Sequence, residues 1–236
     1  MDIILLPTYN EKENIEVIVP EIFNILPEVR ILVIDDNSPD GTANAVKSLI
    51  EKYPNLSLLE RQHKTGLGDA YKEAMLKVIK DKEIRSIITM DADGSHSVEY
   101  LKDFLIKSHN FDLIIGSRYV KDGGIENWER WRKELSRFGN LYVKVLTGLP
   151  INDYTAGFMC IRREFLEKLD LNKISSSGYS FLIELKFYLI YGLKARFFEI
   201  PIIFKSRREG ESKISRQIIG EGIKTPIRLF LKRVWK

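Results

Sequence analysis

The first half of the chain repeats one unit. A short apolar run is followed by a polar cluster, and then by apolar residues at helical spacing. The apolar runs are 3–6 (IILL), 29–34 (VRILVI), 56–59 (LSLL), 85–90 (RSIITM) and 112–116 (DLIIG). The helical stretches are 14–26, 42–51, 66–80 and 98–107. Strands that are apolar without alternation are those buried on both faces of a parallel sheet. The pattern therefore predicts an α/β chain: an open, mostly parallel sheet with helices on both faces. Ligand sites in such sheets lie at the carboxyl ends of the strands. Pro20 predicts a kink or break in the first helix.

The strand ends are polar. They read Pro7-Thr8-Tyr9-Asn10-Glu11, Asp35-Asp36-Asn37, Asp91-Ala92-Asp93 and Gly116-Ser117-Arg118-Tyr119. Residues two apart in an extended segment point the same way, so Asp91 and Asp93 aim at one point. Two like charges so placed repel unless a cation sits between them. Asp and Gly also make ordinary turns. Four polar ends on one rim favour a shared ligand site over four unrelated turns.

After Tyr119 the regularity breaks. Residues 121–127 read as a loop, 128–146 as an amphipathic segment rich in Arg and Lys, and 152–157 as a polar break before a short apolar run at 158–161. Residues 179–191 read as an apolar helix and 196–204 as a strand. From residue 205 onward there are ten basic and three acidic residues, a net +7. The chain as a whole carries +4, which leaves the rest at −3. Such a basic end calls for an anionic partner: phosphate, nucleic acid or an anionic membrane.

The content of 44% hydrophobic and 30% charged residues is that of a folded globular chain. No basic segment precedes the apolar start, and no apolar run reaches the ~18 residues of a membrane span. The expected location is the cytoplasm. The single cysteine, Cys160, excludes an internal disulfide framework and is expected in the core. His63 and His109 are expected at the surface.

Two other folds use carboxylates at strand ends. A phospho-receiver domain places its acidic pair after the first strand, whereas Asp35-Asp36 follows the second. A dinucleotide-binding fold needs G-x-G-x-x-G after the first strand, where this chain has PTYNEKEN. A nucleotide-sugar site uses all the strand ends, with carboxylates for a divalent cation and further acids for ribose and base.

The motifs PTYNEKENI, VIDDNSPDGT, GLGDAY, MDADGSH, GSRY, DYTAGF and GESK occur in this order. Together they resemble those of the polyprenol-phosphate sugar synthases, family-2 glycosyltransferases of the glycosyltransferase-A fold. The dolichyl-phosphate mannose synthases are the branch most similar. The resemblance runs from Leu6 to Lys213. It implies a catalytic domain over 1–213 and leaves 214–236 as a basic amphipathic tail, in which Pro226 predicts a break; by its residues this tail either docks on a membrane or a small membrane subunit, or packs on the body as a terminal helix.

The resemblance also implies an activity. Mannose from GDP-mannose would pass with inversion to dolichyl (polyprenyl) phosphate, at the cytoplasmic face of a membrane and with no nucleic-acid partner. UDP-glucose and UDP-N-acetylglucosamine are the alternative donors, and a non-catalytic nucleotide-sugar-binding protein is the alternative class. The nucleotide pocket implied is Pro7, Tyr9, Glu11, Ile34, Asp36, Asp91, Ala92 and Asp93. Mg²⁺ or Mn²⁺ would be held by Asp91 and Asp93. Arg118, Arg207 and Lys213 would contact phosphates and serve catalysis, with Arg132 as a further cation. Several relatives carry a metal-binding Gln where this chain has Ser95. His96 is expected to hydrogen-bond its own loop, and Asp153 to be structural.

Overall fold

A computed structural model describes residues 1–205 and 216–234. The elements in chain order are β1 (Asp2–Thr8), α1 (Lys12–Ile25), β2 (Arg30–Asp35), α2 (Thr42–Ile50), β3 (Leu56–Glu60), α3 (Leu67–Val78) and β4 (Ser86–Thr89). Then come α4 (Leu101–Lys107), β5 (Leu113–Ser117), β6 (Gly124–Ile125), α5 (Arg130–Thr147), β7 (Met159–Arg162), α6 (Arg163–Lys168), α7 (Ser180–Phe187), β8 (Phe197–Pro201), β9 (Ile203–Phe204) and α8 (Arg216–Val234).

Seven strands form one sheet in the order β3-β2-β1-β4-β7-β5-β8. All neighbours are parallel except β7, which runs antiparallel between β4 and β5. Alternate residues of each strand feed two cores. Ile4, Leu6, Ile31, Val33 and Ile88 face α1, α2 and α4, whereas Ile3, Leu5, Leu32, Ile34 and Ile87 face α3, α5 and α7. This is the expected layered α/β architecture.

Three local expectations change. The stretch 121–127 is not wholly loop, because β6 pairs with β9 to make a separate two-stranded ribbon. α1 runs unbroken across Pro20. α8 likewise runs through Pro226 rather than stopping there. A proline inside a helix costs ~3 kcal/mol. Here α8 packs on α5 and α7, with Leu229 wholly buried and Arg228 ion-paired to the buried Glu184 of α7. Burying one leucine is worth ~1.5–3 kcal/mol, so packing offsets most of the proline's cost.

Candidate active site

Three strand ends open on one cavity of about 440 Å³. The parallel register sets Thr8 beside Asp35 and Leu5 beside Thr89, so the residues that follow emerge together. β1 supplies Pro7, Tyr9 and Glu11, β2 supplies Asp36, and β4 leads to Asp91, Ala92 and Asp93, all on the cavity wall. The facing wall comes from residues 64–67, from Ser177, Gly178 and Tyr179, and from Glu221 of α8.

The two neighbouring acids of β2 have separate tasks. Asp35 accepts from Thr8 Oγ1 at 3.0 Å and from the Ser38 N–H at 3.0 Å, which ties the turn. Asp36 turns to the cavity and pairs with Arg61. Burial pushes the Asp36 carboxyl above its ordinary range, against the opposing pull of Arg61 and Lys64. Arg61 also donates to Glu73 at 2.8 Å and to Thr65 at 2.8 Å. Lys64 lies 3.4 Å over the Tyr9 ring. A basic pair thus backs the acid expected to meet ribose or base.

Asp93 is buried and accepts from the Ser95 N–H at 3.0 Å. The Asp91 N–H donates to His96 Nδ1 at 3.1 Å, which fixes Nδ1 as the acceptor. Burial, with Arg118 adding to it, pushes the His96 imidazole down to about 4. The ring is stacked on Phe158 and holds its loop, as expected.

Asp91 and Asp93 fit a hard divalent cation by donor type and shared exposure to the cavity. Among the described residues no cluster of three or more His, Cys, Asp or Glu forms a complete cage. The Ser95 hydroxyl beside Asp93 is buried with no hydrogen-bond partner.

Two expected pocket residues are placed elsewhere. Ile34 is wholly buried in the core beneath the site. Arg118 is not on the cavity wall: its fork donates to Asp153 twice at 2.7 Å and to Thr155 at 2.7 Å. The reason is β7. Because it runs antiparallel, the segment before it arrives at the rim and brings a fully buried carboxylate against the arginine. Burial opposes ionisation of Asp153, but Arg118 outweighs it and holds the carboxyl below its ordinary range. Arg132 stacks over Trp128 at 4.0 Å. Arg207 and Lys213 lie outside the described residues.

The glycosyl transferase family 2 profile matches residues 3–170. An undecaprenyl-phosphate mannosyltransferase of Micrococcus luteus is 38% identical over 98% of this chain and 95% of its own. The chain belongs to glycosyltransferase family 2. A polyprenol monophosphomannose synthase of Mycolicibacterium smegmatis is 40% identical over 94% of this chain and 83% of its own. Glucosyl-3-phosphoglycerate synthase of Mycobacterium tuberculosis was solved with Mn²⁺, UDP and phosphoglyceric acid. It superposes with a TM-score of 0.67 at 16% identity, covering 96% of this chain and 78% of that one, which establishes the glycosyltransferase-A fold.

In this glycosyltransferase, parts of the site carried no clear signal in the sequence. Arg61, Lys64, Tyr179 and Glu221 line or back the cavity, and nothing in their local sequence marks them as doing so. The GLG at 66–68 was the available clue. A Cβ on Gly66 or Gly68 would lie 2.5 or 2.9 Å from the Ser177 carbonyl oxygen, so these glycines let α3 abut the loop that forms the far wall. Glu221 accepts from the Gly178 N–H at 3.2 Å and holds the same loop to α8.

The segment 152–157 is pinned along its length behind the two aspartates. Glu199 accepts from the Asn152 and Asp153 N–H groups, and Thr89 Oγ1 donates to the Gly157 carbonyl at 2.6 Å. The wholly buried Lys186 donates to the carbonyls of Tyr154 at 3.0 Å and Ala156 at 2.6 Å. Burial, with Arg118 adding, pushes the Lys186 ammonium down to about 7, against the pull of Asp153 and Glu199. The unfolded chain keeps the ordinary value near ~10.4, so between these pH values it binds more protons than the native state. Stability from this group therefore rises with pH across that window, by at most ~1.4 kcal/mol per unit. Urea unfolding at several pH values should show this rise in the native chain and its loss in Lys186→Met. Equal slopes in the two would refute it.

Proposed function

We propose that the protein transfers mannose from GDP-mannose to a polyprenyl (dolichyl) phosphate, inverting the anomeric carbon. The observation that carries this reading is the single cavity shared by Pro7, Tyr9, Glu11, Asp36, Asp91, Ala92 and Asp93 in a family-2 chain. Relatives with mannosyltransferase names, aligned over nearly the whole chain, support the sugar and the acceptor class.

The chemistry follows from the acceptor. A phosphate monoester has a second pKa near ~6, so at neutral pH it is mostly dianionic and needs no general base. One of its oxygens bonds to the anomeric carbon as the bond to the diphosphate oxygen breaks, and the electron pair leaves with the diphosphate. Glu11 and Asp36 accept hydrogen bonds from ribose or base, and Tyr9 packs beside the base. Asp91 and Asp93 would hold a divalent cation, Mg²⁺ or Mn²⁺, which neutralises charge on the leaving diphosphate. Arg207 and Lys213 gather the acceptor and donor phosphates, in keeping with the family motif they occupy. Arg118 serves through Asp153 and the 152–157 segment, as a positioning residue. Domain limits of 1–213 and 214–236 match the extent of the motifs. A lipid-borne acceptor also calls for peripheral contact with the cytoplasmic face of a membrane.

The test is a donor panel of GDP-mannose, UDP-glucose and UDP-N-acetylglucosamine with a short polyprenyl phosphate and Mg²⁺ or Mn²⁺, read by product mass. A mannosyl phospholipid from GDP-mannose is expected. Product from a UDP donor alone would reassign the sugar. Tight donor binding without product would mark a binding protein.

A further inference from the structure

One carboxylate on the cavity wall stands outside the family motifs. Glu221 lines the cavity from α8, on the segment expected to be a tail. It lies beyond the residues 3–170 that the family profile matches. Its carboxylate accepts from the Gly178 N–H at 3.2 Å and from the Ser177 hydroxyl at 3.4 Å, and both donors are neutral. The fit is close: a Cβ on Gly178 would lie 2.9 Å from Glu221 Oε2, so the glycine makes room for this oxygen.

The loop that holds Glu221 is fixed from three sides. The Ser176 N–H donates to the buried Glu184 at 3.0 Å, the Gly68 N–H donates to the Ser177 carbonyl at 2.6 Å, and Glu221 itself closes the third side. A carboxylate held in this way is preorganised and loses little freedom when a ligand binds.

The place of Glu221 along the cavity decides what it can meet. Tyr9, Asp36 and Lys64 mark one end, with Lys64 over the Tyr9 ring. Burial raises the Tyr71 phenol well above its ordinary range, and Asp91, Tyr179 and Asp93 add to it, which puts the far wall beside the two aspartates. A donor with its base at Tyr9 and its diphosphate at Asp91 and Asp93 therefore carries its hexose toward residues 177–179 and Glu221. Glu221 is not a further cation ligand, because no group of three or more His, Cys, Asp or Glu among the described residues comes together to hold a metal. Facing a diphosphate it would only repel. A hexose offers what a carboxylate accepts, hydroxyl donors on adjacent carbons.

We propose that Glu221 is a sugar-binding residue: its carboxylate accepts hydrogen bonds from hydroxyls of the donor hexose and so helps to set which sugar the cavity holds. The inference rests on the reading of the cavity as a nucleotide-sugar site. It makes α8 part of the donor site.

The experiment compares each nucleotide with and without its sugar. Isothermal titration calorimetry with Mn²⁺ present measures binding of GDP, GDP-mannose, UDP and UDP-glucose to the intact chain and to Glu221→Gln. Glutamine keeps an acceptor for the Gly178 N–H and removes the charge that the hydroxyls meet. Affinity for GDP-mannose should fall at least ~10-fold in the variant, while affinity for GDP and the melting temperature stay near native. A merely structural Glu221 would weaken GDP and GDP-mannose alike, and that result overturns the proposal. A variant that binds both as the native chain does also overturns it. If the native chain binds the UDP pair instead, the GDP-mannose reading fails on its own. A loss confined to UDP-glucose then upholds the role of Glu221, and an equal change in both UDP ligands overturns it. A native chain that binds none of the four overturns both.

Discussion

Asp93→Asn is expected to lower transfer at least ~10³-fold while the fold survives. Asn keeps the size of the side chain and one carbonyl oxygen, so the Ser95 N–H that donates to Asp93 at 3.0 Å retains an acceptor. What is lost is the negative charge on the cavity wall beside Asp91. Cation-assisted neutralisation of a leaving diphosphate is worth several kcal/mol, and ~4 kcal/mol corresponds to roughly three powers of ten in rate. Single-turnover transfer with saturating donor measures the rate. Mn²⁺ titration by electron paramagnetic resonance, with GDP present, measures the ion separately, and circular dichroism checks the fold. A variant retaining more than a tenth of native turnover, or a native chain fully active in EDTA, would remove the carboxylate from the mechanism.

Asp153→Ala is expected to be the most destabilising single change, at ~3–5 kcal/mol. The carboxylate is wholly buried and its partner Arg118 is 8% exposed, so truncation leaves a buried guanidinium without its counter-charge. For a chain of this length the melting temperature should fall by about 6–20 °C. The double change Arg118→Met/Asp153→Leu removes both charges and should recover much of the loss, because a buried ion pair is often no more stabilising than an apolar pair. Differential scanning calorimetry on the three variants decides the matter. If Asp153→Ala melts within a degree of the native chain, the pair does not hold the segment behind Asp91. Residual transfer by the double variant reports whether Arg118 also has a direct electrostatic role, which positioning alone does not require.

Much of this site was legible in the sequence because its residues follow strands that announce themselves. Tyr9, Asp36, Asp91 and Asp93 each lie within a few residues of a continuous apolar run, and a parallel register brings such ends together. Arg118 is legible in its place at a strand end but not in its ion-pair partner. A basic residue after a strand reads as a ligand contact, and its partner Asp153 is remote in sequence, delivered by a strand whose reversed direction leaves no local trace. Arg61 sits in a polar run that resembles an ordinary turn, and only the fold reveals that it faces Asp36. Pro226 was given its local meaning, which tertiary contacts of Leu229 and Arg228 override. Lys186 interrupts the apolar run of its helix, and only the fold shows the backbone carbonyls of Tyr154 and Ala156 that its ammonium meets.

The antiparallel strand also dictates an order of events during synthesis. β1 to β4 pair among themselves as soon as they emerge, but the outer edge of β4 pairs only with β7, with Thr89 opposite Met159 about 70 residues later. At ~5–20 residues per second the ribosome leaves that edge open for roughly 4–14 s. During this interval Ile87 and Ile88 stand on an unpaired edge, which can recruit other nascent chains. Damage to β7 or to the segment that precedes it will therefore first appear as lost soluble yield, before any purified protein exists in which to measure turnover. Lower growth temperature or a holding chaperone should rescue such variants more effectively than excess donor.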